Sequence, residues 1–150
     1  MIEIIKADTS NIEELMSIRL EMLKIVNNMK EEDNFEKILV ESSRQYFLKG
    51  EQTTFLAKDG GKVIGCASIS YILLMPTFSH PTGKRAHLMN VYTNKSYRRQ
   101  GIARKMVEKL IAEAKEKGCT EISLDATPEG EMLYKALGFT ENKEGMVLEL

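Results

Sequence analysis

The chain has 150 residues, of which 43% are hydrophobic and 29% are charged. This length and apolar content predict one compact domain, residues 1–150, with a sizeable core. The formal net charge is only -1, so no overall field favours binding to nucleic acid or to a membrane surface. The charged N-terminus is unlike a signal peptide, and no apolar run approaches membrane-spanning length, so we expect a soluble cytoplasmic protein.

The two cysteines, Cys66 and Cys119, lie in apolar, strand-like stretches. They lack the paired spacing that is typical of metal ligands, and two cysteines so placed do not indicate a disulfide framework. We therefore expect buried free thiols and no metal.

The N-terminal third predicts a strand followed by two helices. Residues 2–5 form a short extended segment, and one of residues 8–10 can cap the helix that follows. Apolar residues at helical spacing predict that this helix spans residues 12–27. A second, more polar helix is predicted over residues 35–48, and Gly50 would end it.

The middle of the chain predicts antiparallel strands. Residues 53–58 and 62–74 are rich in β-branched and aromatic side chains, and Asp59-Gly60-Gly61 between them is typical of a hairpin turn. Residues 75–84 contain prolines and a glycine and predict a loop. The next strand is predicted over residues 86–93.

The next predicted element is a helix with one apolar face, which begins at Gly101 and is ended by Gly118. A strand over residues 121–126, a short helix over residues 129–137 and a final strand over residues 146–150 are predicted after it. The predicted order is β-α-α-β-β-β-α-β-α-β.

Positive charge is concentrated just before the helix that begins at Gly101. Five cations and no acid lie between Lys95 and Lys105. The first N–H groups of a helix lack intrahelical partners, and the helix dipole adds positive potential there, so this segment suits an anion. Gly101 lets a phosphate approach the backbone, and Ala103 keeps the first turn small. The chain lacks both the Walker A ending and a Gly-x-Gly-x-x-Gly motif, which disfavours nucleoside triphosphates and NAD.

The segment Arg98-Arg99-Gln100-Gly101-Ile102-Ala103 has the pattern Arg/Gln-x-x-Gly-x-Gly/Ala, and Val91-Tyr92-Thr93 precedes it as a strand. Further along, residues 133–139 have the pattern Leu-Tyr-x-x-Leu-Gly-Phe. In this order the motifs resemble the GNAT superfamily of N-acetyltransferases. The specific likeness covers residues 86–139, and the element order extends it more weakly to the whole chain. It implies an α/β (α+β) GNAT fold, with a mixed central sheet of six or seven strands, mostly antiparallel, flanked by about four helices.

The resemblance also implies acetyl-CoA as cofactor. In the family, the strand before the turn pairs with the pantetheine arm through its backbone, and the turn binds the pyrophosphate with N–H groups and nearby cations. Thr127 stands where related enzymes often carry an asparagine, so its hydroxyl could replace only part of that contact. The implied cofactor-binding residues are Val91, Tyr92, Thr93, Arg98, Arg99, Gln100, Gly101, Ile102, Ala103, Arg104 and Thr127.

Two residues are the candidates for acid–base chemistry. Tyr134 matches the family's tyrosine near the cofactor sulfur, which predicts a general acid; an ordinary core tyrosine is the alternative. His87 lies on the strand position where some members carry a basic carboxylate, and histidine can accept a proton near neutral pH. An ordinary half-buried histidine on a sheet face is the alternative to a catalytic base.

The resemblance predicts acetyl transfer to a primary amine of a small molecule or peptide, by direct attack of the amine. A non-catalytic acyl-CoA-binding regulatory module is the alternative, since it would keep the turn and lose the acid and base. Arg19 interrupts the apolar face of the first helix and could place a cation near the acceptor, favouring a carboxylate, or could only lay its stem on the core. Asn90 and Tyr92 are further pocket candidates, and pairing through residues 146–150 would allow a homodimer.

Overall fold

A computed structural model describes every residue from Met1 to Leu150. Its strands are β1 (Ile2–Lys6), β2 (Gln52–Asp59), β3 (Lys62–Leu73), β4 (Lys84–Thr93) and β5 (Ile122–Leu124). Its α-helices are α1 (Ile12–Val26), α2 (Lys37–Lys49), α3 (Ile102–Glu116) and α4 (Glu131–Ala136). Short 3-10 turns at Thr9–Asn11 and Lys95–Tyr97 precede α1 and the approach to α3.

All strands belong to one five-stranded sheet with the order β1-β2-β3-β4-β5. The pairings β1–β2, β2–β3 and β3–β4 are antiparallel, and the pairing of β4 with β5 is parallel. The predicted mixed, mostly antiparallel sheet with four α-helices is therefore confirmed. The prediction of six or seven strands is wrong.

The missing strand is the one predicted over residues 146–150. These residues alternate apolar and polar types only in part, they are all exposed, and they belong to no strand. Strand propensity needs a neighbouring strand to pair with, and no backbone hydrogen bond joins the segment after Phe139 to the sheet. The chain beyond α4 is therefore irregular.

Helices cover the two faces of the sheet because successive strand residues point to opposite sides. On β2, Leu56 packs with α1 and α2, whereas Ala57 packs with α3. The apolar stripe of α3, which includes Met106 and Leu110, is fully buried in the larger of the two cores. Of the two free thiols, Cys66 is buried as predicted, and Cys119 is only half-buried. None of the helices combines the length and apolarity required to cross a membrane.

A β-bulge interrupts the pairing of β3 with β4. Cys66 pairs with Tyr92 and Ser68 with Met89, so two steps along β3 correspond to three along β4. Asn90 lies within this extra length and has a left-handed backbone, with φ at 58°. Its side-chain amide donates to Ser68 Oγ at 3.0 Å, and its carbonyl accepts from the Cys66 thiol at 3.2 Å. The bulge is therefore held by contacts to β3.

The other edge of β4 is only partly covered. β5 pairs with β4 through Ala86, His87 and Leu88 and with no residue beyond them. The last five residues of β4, from Met89 to Thr93, consequently have no strand on that side. This part of β4 therefore lacks the strand-to-strand hydrogen bonds that β5 provides to Ala86, His87 and Leu88.

We expect Asn90→Ala to be less stable than Asn90→Gly by about 1 kcal/mol, because alanine disfavours a positive φ and glycine does not. Both variants lose the hydrogen bond to Ser68, so the difference between them isolates the backbone conformation. Urea unfolding would measure it. The exposed Asn28 also has a left-handed backbone, with φ at 52°. Asn28→Ala and Asn28→Gly therefore repeat the comparison at a position where no side-chain hydrogen bond is lost. Equal stability of the two Asn90 variants would contradict the left-handed bulge.

Candidate functional site

The turn before α3 presents a row of free backbone donors. None of the six N–H groups from Arg99 to Arg104 donates to an acceptor of the protein. Arg99 and Gly101 have φ values of 64° and 75°, and left-handed residues of this kind are typical of turns whose successive N–H groups bind an anion. A Cβ placed on Gly101 would meet no protein atom within 4 Å, so the space beside these donors is open. The turn thus has the geometry of an anion site.

The cations of this turn differ in their contacts. Arg98 Nε donates to the carbonyl of Thr93 at 3.0 Å, which ties the turn to the end of β4. Arg104 pairs with Glu108 one helical turn later, at 2.8 Å. Arg99 makes neither an ion pair nor a side-chain hydrogen bond. Arg98 and Arg99 therefore contribute positive charge that no acid of the chain offsets by an ion pair.

Tyr92 does not face a pocket, contrary to one of the two roles suggested for it. Its side chain is buried, and its hydroxyl donates to Glu21 of α1 at 2.7 Å. Burial and this carboxylate raise the pKa of Tyr92 to about 12. The side chain fastens α1 to β4, and only the backbone of Tyr92 lies on the free edge. On the same edge, the Thr93 hydroxyl is buried without a hydrogen-bond partner.

Tyr134 of α4 packs its ring against the α3-side core and edge-to-face on Phe139, with ring centroids 5.9 Å apart. A Cβ on Gly130 would lie 2.8 Å from the ring, so glycine at that position gives the ring its space. The hydroxyl makes no hydrogen bond within the protein. Burial raises the pKa of Tyr134 above its ordinary 10.0. The residue therefore offers a neutral O–H group that is free to donate.

Thr127 has a local role at the beginning of α4. Its carbonyl accepts from the N–H groups of Gly130 and Glu131 at 3.0 and 3.1 Å, and its hydroxyl accepts from Gly130 at 3.3 Å. These bonds shape the start of the short helix that carries Tyr134. Whether Thr127 also contacts the cofactor stays a prediction.

His87 is held against β5. Its Nδ1 shares a hydrogen bond with Ser123 Oγ at 2.8 Å, and its Nε2 lies 3.8 Å from an Asp125 carboxylate oxygen. Its neighbours Ala86 and Leu88 point into the α3-side core, so His87 projects from the opposite face of the sheet. His87 therefore projects from the face opposite to the core against which the Tyr134 ring packs.

A cavity of about 470 Å³ opens between α1, α2 and the β3–β4 pair. Arg19 and Asn90, both named as pocket candidates, contribute to its wall. Sequence reasoning missed the other side chains. Ser68 and Ser70 alternate with the buried Ala67 and Ile69 on β3, a pattern that could have identified them. The cavity lining includes Arg19, Tyr46, Phe47, Ser68, Ser70 and Asn90.

No group of three or more histidine, cysteine, aspartate or glutamate side chains is arranged to hold a metal ion. The candidate site consists of the turn before α3 with its free N–H groups, the part of β4 from Met89 to Thr93, Tyr134, and the cavity on the other face of the sheet. His87 lies beside the cavity, since its cross-strand partner Ser70 is part of the wall.

Known proteins resemble the chain in structure and in sequence. A structure described as a predicted acetyltransferase with acetyl-CoA, from Clostridium acetobutylicum, superimposes with a TM-score of 0.86 at 30% identity, covering 99% of this chain and 96% of that one. The glucosamine 6-phosphate N-acetyltransferase of Trypanosoma brucei brucei is 27% identical over 96 residues, covering 64% of this chain and 63% of the relative. The thialysine N-epsilon-acetyltransferase of Sus scrofa is 33% identical over 81 residues, covering 52% and 48%.

The chain thus spans about half to two thirds of the length of these two curated relatives. The sequence profile of the acetyltransferase (GNAT) family matches residues 13–139, a range that includes both the turn before α3 and Tyr134. This range is most of the chain and contains every part of the candidate site. The protein therefore belongs to the acetyltransferase (GNAT) family.

Proposed function

We propose that residues 1–150 form an acetyl-CoA-dependent N-acetyltransferase domain that acts on a primary amine of a small molecule or peptide. The observation that supports this most directly is the row of six free N–H groups from Arg99 to Arg104. The related Clostridium acetobutylicum structure holds acetyl-CoA, and the related enzymes named above are N-acetyltransferases. A coenzyme with a pyrophosphate matches the donors that the turn presents.

The residues of the chain fit this cofactor at two places. The turn would bind the pyrophosphate through backbone N–H groups, with Arg98 and Arg99 adding charge-assisted contacts. Arg104 would contribute its side chain only by leaving Glu108. The uncovered edge of β4 would pair with the amides of the pantetheine arm through the backbone of Val91, Tyr92 and Thr93, in the position that another strand would otherwise occupy.

Bound acetyl-CoA would supply a thioester carbonyl that the amine attacks directly. The departing sulfur then needs a proton, and Tyr134 is the group that we propose as its donor. A general acid must be protonated when it acts. Burial favours the neutral phenol of Tyr134, and its hydroxyl has no partner in the protein to give up before it donates. Both properties suit the role.

The attacking amine must be neutral, and His87 is the base that we propose for it. The hydrogen bond to Ser123 fixes the orientation of the ring at Nδ1. His87 neighbours the cavity, whereas Tyr134 lies on the α3 side of the sheet. Both groups would have to reach the single carbon that joins the amine to the sulfur, His87 from the cavity side and Tyr134 from the α3 side, through the gap that β5 leaves beside β4.

A homodimer stays a prediction. The apolar side chains of Met146, Val147, Leu148 and Leu150 are almost fully exposed, which supports a contact surface near the C-terminus. They are not part of a strand, so pairing of C-terminal strands does not follow from the fold of one chain.

Gly101→Ala should weaken coenzyme A binding at least about 10-fold, because its methyl group enters the open space beside the donors that bind the pyrophosphate. Isothermal titration calorimetry would measure the dissociation constant. Gly60→Ala is a matched control: Gly60 also has a positive φ, 56°, and open surroundings, but it lies in the β2–β3 turn. Equal affinity of the two variants would contradict the proposed pyrophosphate site.

Tyr134→Phe should lower kcat by about 100-fold or more while leaving folding stability nearly unchanged, since the hydroxyl has no hydrogen bond to lose. Thiol release from acetyl-CoA would report kcat. Because burial raises the pKa of Tyr134 above 10.0, the acid stays protonated below that pH, and wild-type kcat should decline only at higher pH. Tyr71→Phe, which removes a hydroxyl bonded to Glu113 away from the turn, should retain its kcat. If Tyr134→Phe kept the wild-type kcat at every pH below 10.0, Tyr134 would not be the general acid.

His87→Ala should reduce kcat/KM about 100-fold near pH 7, and the deficit should shrink as rising pH deprotonates the amine without help. A pH profile of kcat/KM would show this convergence. His80→Ala changes the other histidine, which contacts Thr120 and Glu121, and serves as the control. A deficit that is independent of pH would indicate that His87 has a structural role and is not the base.

If no amine is acetylated although coenzyme A binds, the non-catalytic acyl-CoA-binding module becomes the better description.

A further inference from the structure

Arg19 is a positive charge inside the cavity with no acid to pair with. Its Nη1 donates to Asn90 Oδ1 at 3.1 Å, and no carboxylate oxygen lies within 4.0 Å of it. Burial lowers the pKa of Arg19 from its ordinary 12.5, yet a guanidinium stays protonated in proteins. Removing an unpaired charge from water is unfavourable, so a partly buried arginine without an acid suggests that a ligand supplies the negative charge.

Three of the six arginines of the chain form an ion pair, and three do not. Arg44, Arg85 and Arg104 each form an ion pair with a glutamate. The three without an ion pair are Arg98 and Arg99, at the turn assigned to a pyrophosphate, and Arg19, in the cavity. The arginines that no acid satisfies are therefore found only at the two places assigned to ligands.

The cavity wall is suited to an oxygen-bearing anion. No aspartate or glutamate contributes to it, and hydroxyl and amide groups surround Arg19. Asn90 is fixed by its bond to Ser68, which shares a hydrogen bond of 2.7 Å with Thr54. On the opposite wall, the Tyr46 hydroxyl donates to Ser70 at 2.6 Å. These fixed dipoles would hold a polar group beside the guanidinium without costly rearrangement.

Glu21, on the same helix as Arg19, does not neutralise it. Its carboxylate accepts from Tyr92 at 2.7 Å and from Asn94 at 3.3 Å, so it is directed away from the cavity. The charge of Arg19 therefore remains available to whatever enters.

The cavity also lies next to the proposed cofactor edge. Met89 and Asn90 contribute to its wall, and Val91, the next residue, begins the segment assigned to the pantetheine arm. An acceptor anchored at Arg19 could thus extend its amine towards the uncovered part of β4. Anchor and reaction centre would be joined by the bulge of a single strand.

We propose that the acceptor is an amine that also carries an anionic oxygen group, a carboxylate or a phosphate, and that Arg19 binds this group in the cavity. The inference rests on the proposed acetyltransferase function and specifies its substrate class. Arg19 acts here as a specificity-determining residue, and its guanidinium fork matches either kind of oxyanion.

Matched acceptors would test the proposal with full-length protein. Thiol release is followed with glucosamine 6-phosphate against glucosamine, and with thialysine against its carboxamide. In at least one pair we expect the anionic member to have a kcat/KM at least about 10-fold higher. The pair that shows the preference identifies phosphate or carboxylate as the recognised group.

Arg19→Gln should lower kcat/KM for the preferred acceptor with the oxyanion by about 10- to 100-fold, mainly by raising KM, and should leave the partner that lacks the oxyanion unaffected. Arg19→Lys should restore part of the loss, because it keeps the charge but not the fork. Lys24→Gln removes an exposed cation from the same helix and should preserve the preference, which excludes a merely long-range effect of charge.

Binding of the same amines, measured by calorimetry with coenzyme A present, separates this inference from the proposed function. Loss of all turnover with retained, Arg19-dependent binding of the anionic amine would overturn the acetyltransferase function but support the anion site. Equal kcat/KM and equal affinity within both pairs would overturn the inference. So would an Arg19→Gln defect of equal size for acceptors with and without the phosphate or carboxylate.

Discussion

Two parts of the candidate site, the uncovered half of β4 and the turn before α3, depend for their position on the point where β4 and β5 separate. Their parallel pairing ends at Leu88, and the rest of β4 has no neighbour on that side. The connection between these two strands is α3, so its first turn must lie close to the end of β4. The bond from Arg98 to the Thr93 carbonyl fastens the two together. The free strand edge follows from this separation. The free N–H groups follow from the beginning of α3 beside it.

Predictions from sequence succeeded where the signal is local. The helix after Gly101 follows from the spacing of its apolar residues, and the positive turn follows from its composition and the glycine. The resemblance carried by the turn at residues 98–103 and by the motif at residues 133–139 identified the family, because each motif is contiguous. Each of these features is specified within a few residues of chain, so no knowledge of tertiary contacts was required.

Features assembled from distant segments were missed or wrongly placed. The cavity requires α1, α2 and two strands, and the bulge at Asn90 decides which side chains of β4 face it. Tyr92 was a pocket candidate, but Glu21, 71 residues away, holds its hydroxyl. The strand predicted over residues 146–150 lacks the paired edge that would stabilise it. A pattern of alternating side chains shows that a segment can form a strand, but it does not show that another strand is available to pair with it.

The state of the two thiols has a consequence for the order of events in the proposed reaction. Cys66 is completely buried, and burial raises its pKa to about 12. The pKa of Cys119 is raised by burial as well. Because the thiolate is the nucleophilic form, neither cysteine is suited to serve as an acyl carrier between donor and acceptor. The proposed route therefore requires a ternary complex, with both ligands bound before any bond is made, and a ping-pong exchange through cysteine has no residue to support it.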